Sequence, residues 1–570
     1  MRPSTRLILL LLILLTAFTL RTYGLRSLVY ANPDEALWSF FIVTSAELSP
    51  FSPHPSENAL AKIMSWDYGY PLFVADHLYV RTLEALNLPV NEATLPGVLV
   101  ILGALTCLLV FFVARRFAPG NDTPGLVAAA LFAVIPLLVG RHRTIGGAEA
   151  ANGFLFVLAV LMLIRYWEAP ASTRRQWLAG LAVGLWMCAD VQLAVTGSVL
   201  IAFVLLWPRP DGYTGWVGLR RLLVRPGTLL PPVLLFAPYL PVYLYALKLG
   251  YPDQTFLGTM LNEHKADWGL HLIPFLRDLW VNLGLIALLA IPVALVLLRT
   301  RFRDRRYQWL LAWIGLTALP FLIAVTSKVT EASGYHHHLT AALCLLTGLA
   351  FSSTVGAHRG APALPAAGTP SDVPVAGASL SAPRRALPVL GLLIVLATAA
   401  TTLGGVFRVP AFVPLYPSPK IPYGGLVPNS GMKTAGYWVR QNLAPAVPVF
   451  VAHDPSVAYW YLGREALTGG YIDQPARKPV LLDNAASVQA AVIPEQYDLY
   501  PDHLMRSLGF RGLMSVTRDS REVLRLYTKR PLRLTLPVEQ YDALYNQTYR
   551  TAAQIIPPPF PYVPGKFLKP

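Results

Sequence analysis

The sequence predicts a polytopic α-helical membrane protein of about 11 transmembrane helices, followed by a small α/β domain outside the membrane. Three observations support this fold class. Of the 570 residues, 54% are hydrophobic and only 14% are charged, whereas a soluble chain carries roughly a quarter charged residues. Eleven apolar stretches are candidate membrane spans, for which about 17 to 25 residues is the usual length. The region from residue 408 onward is more polar and mixes strand and helix patterns.

The apolar stretches are interpreted as membrane-spanning helices. The first follows Arg2 and Arg6, and because no small-residue cleavage site comes after it, we expect a retained helix rather than a signal peptide. The region 177–207 is divided at "CADVQ", since fusing it would move the arginine-rich loops that follow to the outer side. The predicted spans are 7–23, 95–113, 124–140, 149–166, 176–190, 193–207, 228–247, 279–298, 308–326, 338–355 and 387–406.

The net charge of +16 is explained by membrane topology, so it does not require a nucleic-acid partner. With the N-terminus inside, the inner connections hold most of the arginines, and the first outer loop, 24–93, has three bases against eight acids. The positive-inside rule then predicts a cytoplasmic N-terminus and an extracytoplasmic C-terminal domain. The three cysteines fall in or beside apolar segments and offer neither a disulfide framework nor a CxxC metal site.

Two domains follow from this organisation. Residues 1–407 form the predicted transmembrane domain, with the outer loop 24–93 and an inner linker, 356–386, rich in Pro, Ala, Gly and Ser. Residues 408–570 form the predicted α/β domain, in which 447–467 runs from a β-branched strand into a helical pattern.

The predicted topology gathers charged residues at the outer ends of the helices. Carboxylates at a membrane boundary are costly to desolvate and commonly line polar cavities. Asp34 and Glu35 in "NPDEALW" are the first candidates, although acids after a proline also suit an ordinary helix N-terminus. The other members of this outer set are Arg141, Arg143, Glu149, Asp190, Glu331 and His336 to His338.

Three outer segments carry candidate binding residues. Arg141 and Arg143 oppose the charge bias of their side, which favours a phosphate partner; pairing with lipid headgroups or with Glu149 is the alternative. The segment 327–340 contains Lys328, Tyr335 and the three histidines. Consecutive residues on a helix point about 100° apart, so the three histidines do not suit one metal ion. In the loop 56–86, aromatics such as Tyr70 suit either interface anchoring or sugar contact.

These segments resemble the GT-C membrane glycosyltransferases, in the branch that contains dolichyl-phosphate-mannose protein mannosyltransferases and the bacterial lipid A aminoarabinose transferase. The residues that carry the resemblance are "NPDEALW", "YGYPLFVADHLY", the segment from "RHRTIGGAEAANGF", "YHHHLTAALCLLTGLA" and "GMKTAGYWVRQNLAPAVPVFV". Glu149 takes a place where the family more commonly has Asp. The resemblance covers nearly the whole chain in order.

The resemblance implies transfer of a sugar from a polyprenyl-phosphate donor to a lipid, glycan or protein acceptor at the outer face of a bacterial inner membrane. Asp34 would be the base, with Glu35 orienting it or sharing that role. Glu149 would orient the acceptor or support a divalent cation as a possible cofactor. Arg141, Arg143, Lys328 and one of His336 to His338 would hold the phosphate. The alternatives are a transporter or flippase of lipid-linked sugars and a noncatalytic membrane anchor.

Overall fold

The computed structural model of the protein describes the helical bundle and most of the C-terminal region. The described residues are 2–25, 28–30, 39, 42–43, 69–143, 148–190, 193–208, 216–217, 220, 225–248, 267–325, 337–352, 386–416, 426–428, 431–453, 455–464, 466–468, 474–494, 497–518 and 520–538.

The helices of the first 407 residues form a bundle. They are α1 (Pro3–Thr22), α2 (Tyr70–Ala85), α3 (Gly97–Phe117), α4 (Thr123–Val134), α5 (Pro136–Arg141), α6 (Ala148–Glu168), α7 (Thr173–Met187), α8 (Leu193–Leu206), α9 (Pro226–Phe236), α10 (Tyr239–Lys248), α11 (Leu272–Leu283), α12 (Leu285–Leu298), α13 (Arg305–Ile323), α14 (His337–Ser352) and α15 (Ala386–Gly405).

Each of the 11 predicted spans coincides with helical structure in the described part of the chain. Five described helices are long and apolar enough to cross a membrane, or six when α11 and α12 are counted as one bent span. The division of 177–207 into two helices is confirmed, because α7 ends at Met187 and α8 begins at Leu193. The polytopic α-helical membrane fold is therefore confirmed.

Two predicted spans need correction because a proline or a glycine breaks them. The span 124–140 consists of α4 and α5, since Pro136 has no N–H to donate to the carbonyl of Phe132. The span 279–298 is divided at Gly284, whose φ of 81° suits a residue without a side chain. The chain bends by 111° between α11 and α12.

Close packing sets the position of α14, which begins with a candidate site residue. A Cβ on Gly348 of α14 would lie 2.6 Å from the Pro124 carbonyl oxygen of α4. The two helices therefore touch backbone to backbone, because the glycine removes the side chain that would separate them. The first turn of α14, with His337 and His338, lies beside His142 at the end of α5 and beside α6.

The predicted inner connections meet at one end of the bundle. Arg115 Nε lies 2.9 Å from Asp122 Oδ1, and Arg116 Nη1 lies 2.8 Å from Glu168 Oε2. Arg306 at the start of α13 donates to the Arg116 carbonyl. The charge bias of the sequence thus corresponds to one physical end of the bundle; that this end faces the cytoplasm stays a prediction.

The C-terminal region contains a five-stranded mixed sheet with helices on both faces. Its strands are β5 (Val449–Val451), β6 (Ala490–Ile493), β7 (Gly512–Arg518), β8 (Arg521–Thr528) and β9 (Arg533–Pro537), in the order β5-β6-β8-β7-β9. The pairs β5–β6 and β7–β9 are parallel, and the other two are antiparallel. The helices are α16 (Met432–Asn442), α17 (Pro455–Leu462), α18 (Gln474–Asn484) and α19 (Asp502–Ser507). The strand-then-helix prediction for 447–467 is confirmed by β5 and α17.

The C-terminal sheet is docked on the outer loop. The short strands β1 (Leu28–Tyr30) and β4 (Leu426–Pro428) pair antiparallel, with Tyr30 opposite Leu426. Side chains of α2, α16 and α17 share one apolar core. A second short pair joins β2 (Asp267–Trp268) to β3 (Ala324–Val325). The β1–β4 pair and the shared apolar core attach the C-terminal region to the outer loop near the beginning and near the end of that loop. β1 ends four residues before Asp34.

Candidate active site

The candidate site lies at the end of the bundle opposite the arginine contacts described above. Here α1, α5, α7 and α15 end, while α6, α8 and α14 begin. His142, just after α5, has its ring 5.8 Å from that of His337 in α14. On α6, a Cβ on Gly153 would lie 3.6 Å from His337 Cβ. Helices far apart in the sequence therefore place their polar ends together.

Arg21 and His142 form the buried centre of this end. Arg21 has no exposed surface; its Nη1 donates to the Ala17 and Ala133 carbonyls at 3.0 Å each, and its Nη2 donates to that of Phe132 at 3.4 Å. The carbonyls of Phe132 and Ala133 are available because Pro136 interrupts the helix one turn later. The kink in the bundle is thus stabilised by a cation from the first helix.

Arg21 also fixes the proton position on His142. Arg21 Nε donates to His142 Nδ1 at 2.9 Å, and because Nδ1 accepts, the imidazole carries its proton on Nε2. A Cβ on Gly103 would lie 2.0 Å from Nδ1, so α3 passes close to the ring only as glycine. The His142 ring is therefore fixed in position, with its Nε2–H as a hydrogen-bond donor.

Arg143 is buried at 5% exposure beside the end of α1. Its Nη2 donates to the Tyr23 carbonyl at 2.7 Å, and its guanidinium lies 4.7 Å from the ring centre of Phe407. Neither a carbonyl nor an aromatic ring neutralises the positive charge. Arg141, at 9% exposure, is the last residue of α5. The two predicted phosphate-binding arginines are therefore both buried at the predicted end.

His337 and His338 contact different groups, as expected for neighbours on a helix. His338 Nε2 lies 3.4 Å from Asp190 Oδ2, while His337 faces His142. Asp190 Oδ2 also accepts from Trp186 Nε1 and Thr196 Oγ1, at 2.7 Å each. The break between α7 and α8 that the sequence predicted at "CADVQ" thus carries a buried carboxylate next to a candidate histidine.

Tyr70 has a structural role in the described chain. Its hydroxyl donates to the Leu235 carbonyl at 3.0 Å, and its N–H donates to Tyr239 Oη at 2.9 Å. Gly69, with φ of 77°, lies so close to Cys188 that a Cβ would be 1.9 Å from its carbonyl oxygen. These contacts dock α2 on the bundle, and the predicted contact between Tyr70 and substrate stays a prediction.

Several predicted site residues lie outside the described residues, namely Asp34, Glu35, Lys328, Glu331, Tyr335 and His336. The backbone of Glu149 lies in the first turn of α6, but its side chain is not described. The described segments that flank them are β1, β3 and the start of α14. Among the described residues no three His, Cys, Asp or Glu side chains form a group that could hold a metal ion.

Arg21 and His142 were not predicted from the sequence. Each carried a signal: Arg21 is a charge inside an apolar span, a placement that marks functional or buried polar contacts. His142 lies between Arg141 and Arg143, the two arginines predicted to bind phosphate. Glu92 and Lys433, a buried pair between the outer loop and the C-terminal region, had no local signal, because they are 341 residues apart and 2.7 Å from each other.

Comparisons with known proteins agree with this architecture. ArnT from Cupriavidus metallidurans in the apo state superposes with a TM-score of 0.55 at 14% identity, covering 93% of this chain and 99% of that chain. The same protein bound to undecaprenyl phosphate gives 0.53 at 15% identity with the same coverage. An apo oligosaccharyltransferase from Archaeoglobus fulgidus gives 0.52 at 13% identity, covering 93% of this chain and 75% of that one.

No family model matches the chain, and no curated protein sequence matches it. At these identities the structural likeness establishes the fold, which is that of the GT-C membrane enzymes. The resemblance inferred from the sequence motifs is confirmed at the level of the fold.

Proposed function

We propose that this chain, a membrane protein with the GT-C fold, is a glycosyltransferase that moves a sugar from a polyprenyl-phosphate carrier to an acceptor hydroxyl on the outer face of a bacterial inner membrane. The N-terminus would be cytoplasmic and the C-terminal region extracytoplasmic. The observation that carries the proposal is the buried cationic cluster of Arg143 and Arg21, with the neutral imidazole of His142 bound to Arg21. It is supported by the ArnT fold, since one of those structures holds undecaprenyl phosphate.

The cluster suits a phosphate because no carboxylate among the described residues pairs with Arg143 or Arg21. Arg143 and Arg21 are buried, and their described partners are carbonyls, an aromatic ring and a neutral imidazole. In such a low-dielectric site a cation interacts strongly with an anion. Arg143 would contact the phosphate, with Arg141, Lys328 and one of His336 to His338 as further donors. Arg21 would act through His142, as a positioning residue.

The transfer itself needs a base and a stabilised leaving group. Asp34 would take the proton from the acceptor hydroxyl as its oxygen attacks the anomeric carbon, and the bond from that carbon to the phosphate oxygen would break. Glu35 would orient Asp34, and Glu149 would orient the acceptor. The cationic cluster would stabilise the negative charge that builds up on the departing polyprenyl phosphate. A divalent cation is compatible with the three acids, but no step here depends on it.

The short strand pair β1–β4 supports this assignment of Asp34. It ties the chain four residues before Asp34 to the segment that leads into α16. Arg143 binds the carbonyl of Tyr23, eleven residues before Asp34. Both ends of the segment 24–30 are thus connected to described structure, one of them through a proposed phosphate ligand.

The test measures transfer from a panel of polyprenyl-phosphate sugars by purified protein in proteoliposomes, with products identified by mass spectrometry. Asp34→Asn should lower turnover by about a hundredfold to ten-thousandfold, because general-base catalysis contributes on that order. Glu84→Gln is the control, because that outer-loop carboxylate pairs with Arg81 on the surface of α2, and it should leave turnover unchanged.

Near-normal turnover in Asp34→Asn would refute its role as the base. If wild-type protein binds polyprenyl phosphate but transfers sugar from no donor, the transferase proposal fails and a carrier of lipid-linked sugars becomes the better explanation.

A further inference from the structure

We propose that the ends of α6 and α7 opposite the candidate active site form a binding site for the headgroup of an anionic phospholipid of the surrounding bilayer. A cavity of about 370 Å³ lies where α6 ends and α7 begins. Its lining is formed by Met162, Arg165, Ser172, Arg174, Arg175 and Leu178. Three arginines and a hydroxyl therefore face one space that also has apolar walls.

The arginines of this cavity are not neutralised within the described part of the chain. Glu168, the acid at the end of α6, is already paired with Arg116 at 2.8 Å. Arg175 instead donates to the Arg165 carbonyl at 3.0 Å, which holds its guanidinium at the turn. Arg225, from the start of α9, donates to the Pro170 carbonyl of the same turn at 3.3 Å. The site thus has a net positive charge that an anion would balance.

The apolar surface beside the cavity indicates that this anion is attached to a lipid. On α7, just past the arginines, Trp177, Leu178 and Leu181 are exposed by 43%, 42% and 44%. In a membrane protein such side chains contact acyl chains, and tryptophan favours the headgroup boundary. A phospholipid would place its phosphate against the arginines, which bind phosphates through paired N–H donors, and its chains along α7.

The lack of a paired acid among the described residues distinguishes this site from a second arginine-lined cavity at this end, of about 230 Å³, where Arg115 and Arg116 pair with Asp122 and Glu168. The connection between α12 and α13 also carries Arg299, Arg301 and Arg303, but these do not line the cavity between α6 and α7. Basic pockets between transmembrane helices are a known form of lipid headgroup site. The polyprenyl-phosphate site proposed above lies at the opposite end of the helices, so the two sites would be filled independently.

The test is a titration of the full chain in detergent with phosphatidylglycerol or phosphatidylcholine, followed by native mass spectrometry. Wild-type protein should retain one phosphatidylglycerol in preference to phosphatidylcholine. Each arginine removed should weaken phosphatidylglycerol binding about fivefold, and the triple variant Arg165→Gln, Arg174→Gln, Arg175→Gln about a hundredfold. The control triple Arg299→Gln, Arg301→Gln, Arg303→Gln removes the same charge from the same end and should leave affinity nearly unchanged.

Equal weakening in both triple variants would overturn the proposal, because it would show general electrostatic attraction. Equal affinity for phosphatidylcholine would also overturn it. Displacement of the lipid by inorganic phosphate at similar concentration would indicate a site for soluble anions, and stronger binding of polyprenyl phosphate would indicate a second carrier site. If the triple variant does not fold, the single variant Arg174→Gln, at an exposed position, should weaken phosphatidylglycerol binding about fivefold.

Discussion

The buried ion pair between Glu92 and Lys433 gives the sharpest prediction about how the C-terminal region is held. Lys433 Nζ lies 2.7 Å from Glu92 Oε1, and both side chains have no exposed surface. Trp460 Nε1 also donates to Glu92 Oε2 at 3.3 Å. The perturbation is Lys433→Met, which keeps most of the side-chain volume and removes the positive charge.

The magnitude follows from the burial of both partners. Without Lys433, the Glu92 carboxylate stays in an apolar core, and the Trp460 indole is its one donor among the described residues. Removing one partner of a buried ion pair costs about 3 to 5 kcal/mol. Replacing both partners by apolar residues removes the uncompensated charge and is often neutral or stabilising. The double variant Glu92→Leu, Lys433→Met leaves Trp460 without its acceptor, at a cost of about 1 to 3 kcal/mol. We expect a coupling free energy of roughly 3 kcal/mol or more.

The assay is equilibrium unfolding of the full chain in mixed micelles with increasing sodium dodecyl sulfate, followed by tryptophan fluorescence, for the two single variants and the double variant. Lys478→Met is the control, because Lys478 is partly exposed on α18 and makes no described ion pair. The reasoning is refuted if Lys433→Met costs no more free energy of unfolding than Lys478→Met. It is also refuted if the double variant loses as much free energy of unfolding as the two single variants lose in sum.

Two further predictions concern a backbone contact and a titrating side chain. Gly69→Ala should prevent stable docking of α2, since its Cβ would lie 1.9 Å from the Cys188 carbonyl oxygen; Gly120→Ala, with similar φ but open space, should cost only about 1 to 2 kcal/mol in thermal unfolding. Burial, and then the charge of Arg477, lowers the pKa of His453 to about 4. The unfolded chain therefore binds more protons between pH 6.5 and 4, so the free energy of unfolding should fall as the pH falls through this window. The loss of unfolding free energy should be at most about 3 kcal/mol and should shrink in His453→Gln.

The spans and the two ends of the bundle could be predicted from the sequence because both follow from local properties. A bilayer demands about 20 apolar residues for each crossing helix, and arginines mark the inner connections wherever they stand. The breaks at Pro136 and Gly284 were missed, although both residues are visible in the predicted spans. Apolar length alone does not show whether a helix continues through a proline or turns at a glycine.

The candidate site was predicted only in part. Arg141, Arg143, His337 and His338 were singled out because charged residues at the outer ends of apolar spans are unusual, and the structure places all four at one end of the bundle. Their partners could not be predicted. Contact between Asp190 and His338, for example, depends on how α7 and α14 pack, and the sequence between them carries no trace of that packing.

The sequence by itself determined that the chain crosses the membrane repeatedly, that its arginines collect at one end, and that a strand and helix pattern follows the last span. Those properties depend on residues close together in the chain and on the hydrocarbon thickness they must match. Only the tertiary structure decided that Arg21 satisfies the carbonyls opened by Pro136, and that Lys433 returns to Glu92 to hold the C-terminal sheet on the outer loop. A buried charge must find a partner somewhere in the fold, and which partner it finds is fixed by the packing of distant helices.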